Sequence, residues 1–310
     1  MKKILIYRHC SLGDFIVSLP AIKQIKNRFP NSKIYLACSV IKKTGYVKPH
    51  FVPIKKGIIS EFIYFEKKIS SYYNFFKTIK NLKFDMLYYL NEVQSNFKLN
   101  RDFVLFSLAG IKNKKGFDKF KYDYEKFNET YYLSKRVNQN IKIEDISFKN
   151  IFNINKIKYD KNYITLSLGG KNYLKKWNVN NWIKLVEKIN FHFPNLKIKI
   201  LGSIAEKKIS QEICKINKIK IVNMCGKTDI VRLFEIIASS QYHISHDDGT
   251  MHIASAFKKK GIAIFGITSE KGRWFPLNFN QKIFYPRKNI DEIKVEEVFD
   301  IVYKNLLCFK

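Results

Sequence analysis

Long apolar runs are missing from this chain. No stretch of its 310 residues approaches the roughly 18 consecutive apolar residues that a membrane-spanning helix needs. After Lys2 and Lys3 the first apolar run is broken by Arg8 and His9 and again by Gly13 and Asp14, too soon for the core of a signal peptide. Cysteine is scarce: Cys10, Cys38, Cys214, Cys225 and Cys308 have neither the paired spacing of a zinc site nor the density of a disulfide framework. The expectation is a cytoplasmic protein, at most peripheral on the inner face of the membrane. The sequence also has no G-x-x-x-x-G-K-[ST] phosphate loop and no G-x-G-x-x-G fingerprint, which removes the main support for P-loop and dinucleotide-cofactor readings.

Acidic residues are few, 26 against 57 basic ones, for a net charge of +31. Such a balance invites a nucleic-acid reading. Arginine is scarce too, with seven of the basic residues, and the abundant Lys, Asn, Ile, Phe and Tyr match an AT-rich coding bias. Lysines scattered over solvated faces account for the charge, so no nucleic-acid partner is expected. A basic surface is nonetheless drawn to anionic lipid, at roughly 1 kcal/mol per well-placed cation.

What is present is an alternation of strand and helix. Residues 3–7 read as a buried strand, 14–28 as a helix with Pro20 near its first turns and Phe29-Pro30-Asn31 ending it, and 33–39 as a second strand. Strand-like runs return at 61–65 and 85–90 around a helical stretch at 72–82, whose aromatics Tyr72, Tyr73, Phe75 and Phe76, with Phe84, Tyr88 and Tyr89 beyond, read as core with an exposed subset able to meet lipid. Between 137 and 162 the pattern decays into an Asn- and Lys-rich stretch, which sets the expected domains at 1–155 and 156–310. Alternation then resumes: strands at 163–168, 197–201, 219–223, 241–245 and 261–265, helices near 180–191, 205–216, 229–239 and from 250, and a last helix at 291–307 that is a candidate to return to the first domain. The class is α/β, with two doubly wound halves. Ligands of such sheets sit outside the carboxyl ends of strands, which directs attention to the loops after residues 7, 168, 201 and 245.

Three of those loops carry chemistry-bearing residues. In "SHDDGTMHIASAF" (245–257) a strand runs through Asp247, Asp248, Gly249 and Thr250 into an apolar helix whose start suits a phosphate, with one of the two aspartates expected to cap it. His243, His246, Asp247, Asp248 and His252 crowd together there but lack a metal-site spacing, and no metal is expected. In "GGKNYLKKWNVNNW" (169–182) a glycine turn precedes Lys175, Lys176 and Trp177, bringing an ammonium within reach of a diphosphate. In "RHCSLGDF" (8–15) the turn ends in a carboxylate, Asp14.

Taken in order, "ILIYRHCSLGDFIVSLPAIKQIKNRFP" (4–30), "LGGKNYLKKWNVNNW" (168–182) and "SHDDGTMHIASAF…IAIFGITSEKGRWFP" (245–276) resemble the motifs of glycosyltransferase family 9, the ADP-heptose:lipopolysaccharide heptosyltransferases, with smaller echoes in "LGSIAE" (201–206) and "CGKT" (225–228). The resemblance implies a GT-B fold, two Rossmann-like domains facing across a cleft, the first for the acceptor and the second for the nucleotide sugar. It implies Asp14 as general base and Lys175 as the lysine on the donor phosphates. Donor contacts are implied at Gly13, Gly169, Gly170, Glu206 (to the nucleoside), Thr228, Asp247, Asp248, Gly249, Thr250, Met251 and His252. Two positions depart from the pattern: Asp248, where the family more often has Ser, Thr or Gly, and Asn178, where it commonly has Pro. An extra carboxylate beside a diphosphate repels it unless it points away or pairs with a lysine.

The implied activity is inverting transfer of a sugar, heptose from ADP-heptose, to a lipid-linked lipopolysaccharide or lipooligosaccharide core, with no resident cofactor. Asp14 takes the acceptor proton as the bond forms, and Lys175 with the amides around Gly249 holds the departing phosphate. The alternatives are a related transferase using another nucleotide sugar for a different surface glycan, and a non-catalytic nucleic-acid-binding protein. Acceptor contacts are expected in the loop around Asn91–Asn100, with Gln94, Ser95 and Asn96 as candidates for sugar hydroxyls.

Overall fold

The computed structural model describes residues 1–40, 46–91, 95–118, 122–154, 157–160, 162–169, 176–215, 220–267, 270–277 and 280–308. The chain forms two compact units: Met1–Asp123 with Glu129–Asn153, and Tyr124–Asn128 with Ile154–Lys310.

The first unit runs β1 (Lys3–Tyr7), α1 (Leu12–Arg28), β2 (Lys33–Ser39), β3 (Glu61–Phe65), α2 (Ile69–Leu82), β4 (Met86–Tyr89), α3 (Asn96–Leu108), β5 (Asn113–Lys115) and α4 (Glu129–Val137). Its five strands order as β3-β2-β1-β4-β5, and every pair is parallel. β1 is central, which explains why it is apolar at successive positions: a parallel strand is covered on both faces. Leu5, Tyr7, Ala37, Leu87 and Tyr89 share one face with Phe75 and Ile79 of α2 and Leu99 and Phe106 of α3. Ile4 and Ile6, pointing the other way, are equally buried, and α1 packs with α4. Pro20 lies mid-helix rather than near the start, since α1 begins at Leu12.

The second unit runs β6 (Tyr163–Ser167), α5 (Val179–His192), β7 (Lys197–Leu201), α6 (Lys207–Cys214), β8 (Ile221–Asn223), α7 (Ile230–Ser239), β9 (His243–His246), α8 (Gly249–Ala256), β10 (Gly261–Ile264), β11 (Gln281–Phe284) and α9 (Val295–Leu307). Its strands order as β11-β10-β9-β6-β7-β8, again all parallel. Ile164, Leu166, Ile198, Ile200, Ile244 and Ile262 form its core with Trp182, Leu185 and Ile189 of α5. The last helix, a candidate for return to the first domain, buries Val298, Val302 and Leu306 in this same core, against α5. The strap Tyr124–Asn128 joins this unit through Gly272, whose φ of +85° and approach to the Tyr124 carbonyl leave no room for a Cβ, and through the Asn128 amide, which donates to the Phe275 carbonyl at 3.1 Å.

Four elements were not read from the sequence: α3, β5, α4 and β11. The first of them corrects an expectation, because Ser95 and Asn96 do not form an open acceptor loop. Ser95 caps α3, its hydroxyl accepting from the Lys98 amide at 3.3 Å, and Asn96 is the first helical residue. Gln94 lies outside the described residues.

Candidate functional site

In the first unit the candidate residues stand at the carboxyl ends of β1 and β4. Asp14 occupies the third position of α1, where Ser11, the N-cap, donates to its Oδ2 from the backbone amide at 2.9 Å and from the hydroxyl at 2.7 Å. Both bonds run from the serine to the acid, and together they fix the carboxylate at the strand end. Gly13 is in the same first turn, half-buried. Behind the turn lies a polar cluster the sequence reading passed over. Arg8 is buried, donates to the Leu90 carbonyl at 2.6 Å and pairs with Glu129 at 3.3 Å. The His9 ring meets the Ser39 hydroxyl at 2.7 Å and the Tyr7 hydroxyl at 3.1 Å, and burial pushes its pKa down to about 4. Tyr46 donates to the Ser39 carbonyl at 3.2 Å. The signal was present in "RHCS": an arginine and a histidine directly at the end of an apolar strand have to be partnered inside the fold.

In the second unit the neighbouring order β9-β6-β7 brings three loops side by side. Asp248 is the N-cap of α8. Its Oδ1 accepts from the Thr250 amide at 2.7 Å, the Thr250 hydroxyl at 2.6 Å and the Met251 amide at 3.2 Å, while Oδ2 accepts from the Ser167 hydroxyl at 2.8 Å. The amides of Thr250 and Met251 are therefore occupied by the protein's own carboxylate, a correction to the expectation that the helix start offers them to a phosphate. Loss of hydration on burial of the carboxyl raises the Asp248 pKa to about 6, against the pull of those donors. Gly169 keeps this contact open, since a Cβ on it would stand 3.1 Å from Asp248 Oδ2 and press on the capping carboxylate.

His246 joins this turn to the next loop. Its Nδ1–H donates to the Gly169 carbonyl at 3.1 Å and its Nε2 accepts from the Trp177 amide at 2.9 Å, which fixes the tautomer because a carbonyl only accepts and an amide only donates. Burial lowers its pKa to about 4. His243, deeper between β6 and β9, bonds Thr165 at 2.8 Å and Thr250 at 3.2 Å and is pushed down to about 3 by the same cause. Both rings have each nitrogen engaged with protein, so neither fits a metal ligand. Among the described residues no group of His, Cys, Asp and Glu is arranged to hold a metal ion.

After β7, Glu206 repeats the device seen at Asp14: Ser203 donates to its Oε2 from amide and hydroxyl at 2.9 and 2.7 Å. Its Oε1 lies 3.6 Å from Lys176 Nζ. Thr228 is half-buried, directly before Asp229, the N-cap of α7. Asp247 is half-buried, and its charge adds to burial in raising the Tyr285 pKa. Met251 packs its side chain with Ala263 and Phe265, and His252 is buried. Gly170 and Lys175 lie outside the described residues. A cavity of about 400 Å³ beside α1, lined by Lys23, Asn27, Asp145 and Lys149 among others, contains none of the expected site residues.

A model of glycosyltransferase family 9 (heptosyltransferase) matches residues 65–300. Lipooligosaccharide heptosyltransferase 2 of Campylobacter jejuni subsp. jejuni serotype O:2 is 28% identical over 277 residues, which cover 86% of this chain and 81% of the relative. Among solved structures, the glycosyl transferase family 9 protein from Veillonella parvula is similar with a TM-score of 0.74 at 15% identity, over 99% of this chain and 97% of that one. The E. coli ADP-heptose lps heptosyltransferase II gives 0.71 at 16% identity over 99% of both chains. These likenesses identify the two parallel sheets with their helices as the Rossmann-like domains of a GT-B fold.

Proposed function

The chain belongs to glycosyltransferase family 9, and from that premise we propose that it moves heptose from ADP-heptose, with inversion, onto the core saccharide of a lipopolysaccharide or lipooligosaccharide. The names of its relatives support this choice of donor and acceptor. One structural observation carries the reading: the Asp247–Thr250 turn, the Gly169 turn and the Ser203–Glu206 cap stand at the ends of adjacent parallel strands of one sheet, where a doubly wound domain binds its nucleotide. Residues 156–310 then hold the nucleotide sugar and residues 1–155 the acceptor. Neither a different donor nor a non-catalytic nucleic-acid role gains support from this arrangement.

In the reaction, the acceptor hydroxyl oxygen bonds the anomeric carbon as the bond from that carbon to the β-phosphate oxygen breaks. The hydroxyl proton passes to Asp14, and ADP leaves with the electron pair. Lys175 holds the developing charge, and Glu206 meets the nucleoside. Asp248 does not oppose this, since its carboxylate is turned into the cap and bonded to Ser167. No resident cofactor enters the scheme; the nucleotide sugar is substrate. The net charge of +31 favours the anionic cytoplasmic face of the membrane, where such acceptors are built.

The match to the family begins at residue 65, so the role of Asp14 rests on the resemblance of residues 4–30 and on its fixed place at the end of β1. The test is incubation with a panel of nucleotide sugars and a truncated lipid-linked acceptor, followed by mass measurement of the product. A heptosyl gain from ADP-heptose is expected, and a hexosyl gain from another donor overturns the choice of substrate.

A further inference from the structure

We propose that the outer face of α2 and α3 is the surface by which this protein docks on an anionic phospholipid bilayer. The inference deepens the functional reading, and rests on it only for the lipid-linked nature of the acceptor. The starting observation is a helix that is apolar on two opposite faces. Leu99, Asp102 and Phe106 turn α3 towards the sheet and are buried. On the reverse side Phe97, Val104 and Leu108 are 78%, 53% and 67% exposed. At 3.6 residues per turn these three fall within an arc of roughly 40°, with Arg101 beside them. A solvated helix normally carries polar residues there, and an uncovered apolar stripe marks a surface made to be covered.

α2 lies on the same face of the sheet, as its Phe75 and Ile79 share a core with Leu99 and Phe106. It adds exposed Ile69 and Tyr73. Cations are interleaved with these rings: Lys77 Nζ stands 4.6 Å from the Tyr73 ring centre, Lys80 5.9 Å from Phe76, and Lys114 4.6 Å from Phe103. Ammonium groups standing over exposed rings put positive charge and apolar surface side by side, which suits an interface that is apolar below and anionic above.

Charge selects the occupant. α2, α3 and residues 109–115 carry Lys77, Lys80, Lys98, Arg101, Lys112, Lys114 and Lys115 but one acidic residue, Asp102. That one is buried and held by Arg101 at 2.6 Å. A second copy of the chain would set this basic face against its like, and a nucleic-acid backbone would leave Phe97 and Leu108 without an apolar partner. An anionic bilayer satisfies both features. The placement suits the chemistry, since α3 begins at the carboxyl end of β4, and β4 pairs in register with β1, whose end leads to Asp14.

The test is co-sedimentation of the full chain with vesicles of phosphatidylcholine and phosphatidylglycerol, against phosphatidylcholine alone. The expected result is binding to the anionic vesicles only. Loss should be about fivefold for each of Lys77→Gln, Lys80→Gln and Lys112→Gln, and tenfold or more for the pair Phe97→Ser with Leu108→Ser. Phe191→Ser, an equally exposed ring on α5 of the second unit, serves as control and should leave binding unchanged. The docking variants should transfer sugar to a water-soluble truncated acceptor at the wild-type rate, which also shows that they fold. Equal binding to both vesicle types, equal loss in the Phe191 control, or self-association abolished by the Phe97/Leu108 pair without vesicle binding each overturn the proposal. Vesicle binding without any heptose transfer by the wild type removes the functional reading and leaves the docking surface standing.

Discussion

The turns after β1 and β7 are built alike. Each runs from a strand through Ser-x-x-acid into a helical turn, and in each the serine amide and hydroxyl reach one carboxylate oxygen at 2.9 and 2.7 Å. What differs is the surroundings. Asp14 opens a 17-residue helix and remains half-buried, close enough to Tyr46 for its charge to bear on that hydroxyl. Glu206 is buried, ends a short 3₁₀ turn, and has Lys176 on its second oxygen. The pair teaches that a capping motif dictates where a carboxylate stands, while its neighbours decide what it can do. In our reading one acid is a base and the other a nucleoside contact.

Asp14→Asn is the strongest way to break that comparison. An asparagine oxygen can still accept both Ser11 bonds, so the fold should persist with a nearly unchanged melting temperature. Transfer should fall by about 10²–10⁴-fold, the usual contribution of a general base. Unaltered turnover in a folded variant would make the two turns equivalent caps and end the assignment.

His246→Leu comes next and acts on stability. The imidazole satisfies the Gly169 carbonyl and the Trp177 amide inside the protein, and a leucine leaves both without a partner. Unsatisfied buried groups cost about 1–3 kcal/mol each, so with two of them a loss of about 2–6 kcal/mol is expected in urea denaturation. His246→Asn, which offers a donor and an acceptor on a shorter arm, should recover part of it. A loss below about 1 kcal/mol would show that the two stems hold without the ring.

Glu206→Gln sharpens the comparison from the other side. The Ser203 bonds survive and the Lys176 pair is lost. The KM for ADP-heptose should rise about tenfold, equivalent to about 1.4 kcal/mol of binding, with kcat changed little. A fall in kcat with KM constant would assign Glu206 to the chemical step instead.

These residues were unevenly legible. Nine of the eleven described strands are readable as short, largely apolar runs, whereas β5 (Asn113–Lys115) and β11 (Gln281–Phe284) are too short and too polar to stand out. Asp14 and Glu206 stand out through the family resemblance, and the start of α8 marks one of Asp247 and Asp248 as its cap, a place the structure gives to Asp248. α3 is not legible, because its outward Phe97, Val104 and Leu108 erase the contrast with its inward Leu99 and Phe106, and the polar residues at its start resemble a loop. α4 escaped for the opposite reason: Glu129 to Ser134 are all buried, polar ones included, so no face stands out. The Arg8–Glu129 pair joins residues 121 apart in sequence, and nothing local announces such a partner. The His246 bridge was equally hidden, as its two partners come from another loop.

The smallest expected effect separates the buried groups by pH. His9, His243 and His246 have pKa values lowered to about 4, 3 and 4 by burial. The unfolded chain binds protons that these rings refuse, so stability falls as pH drops below about 6.5 towards 4. Asp248 runs the other way. Its pKa is raised from 3.8 to about 6, so between those values the folded state holds the proton better, and this one group favours the fold more as pH falls. Asp248→Asn removes the opposing group but leaves the histidines. The variant should therefore be less damaging at pH 7, where the wild-type carboxylate is charged at some cost, than at pH 5. Because Asp248 is only half-buried, the difference should be no more than about 1 kcal/mol. Urea midpoints of both proteins at the two pH values measure it directly. Equal damage at both would mean that Asp248 titrates alike in the folded and unfolded chain, with its four hydrogen bonds offsetting the lost hydration.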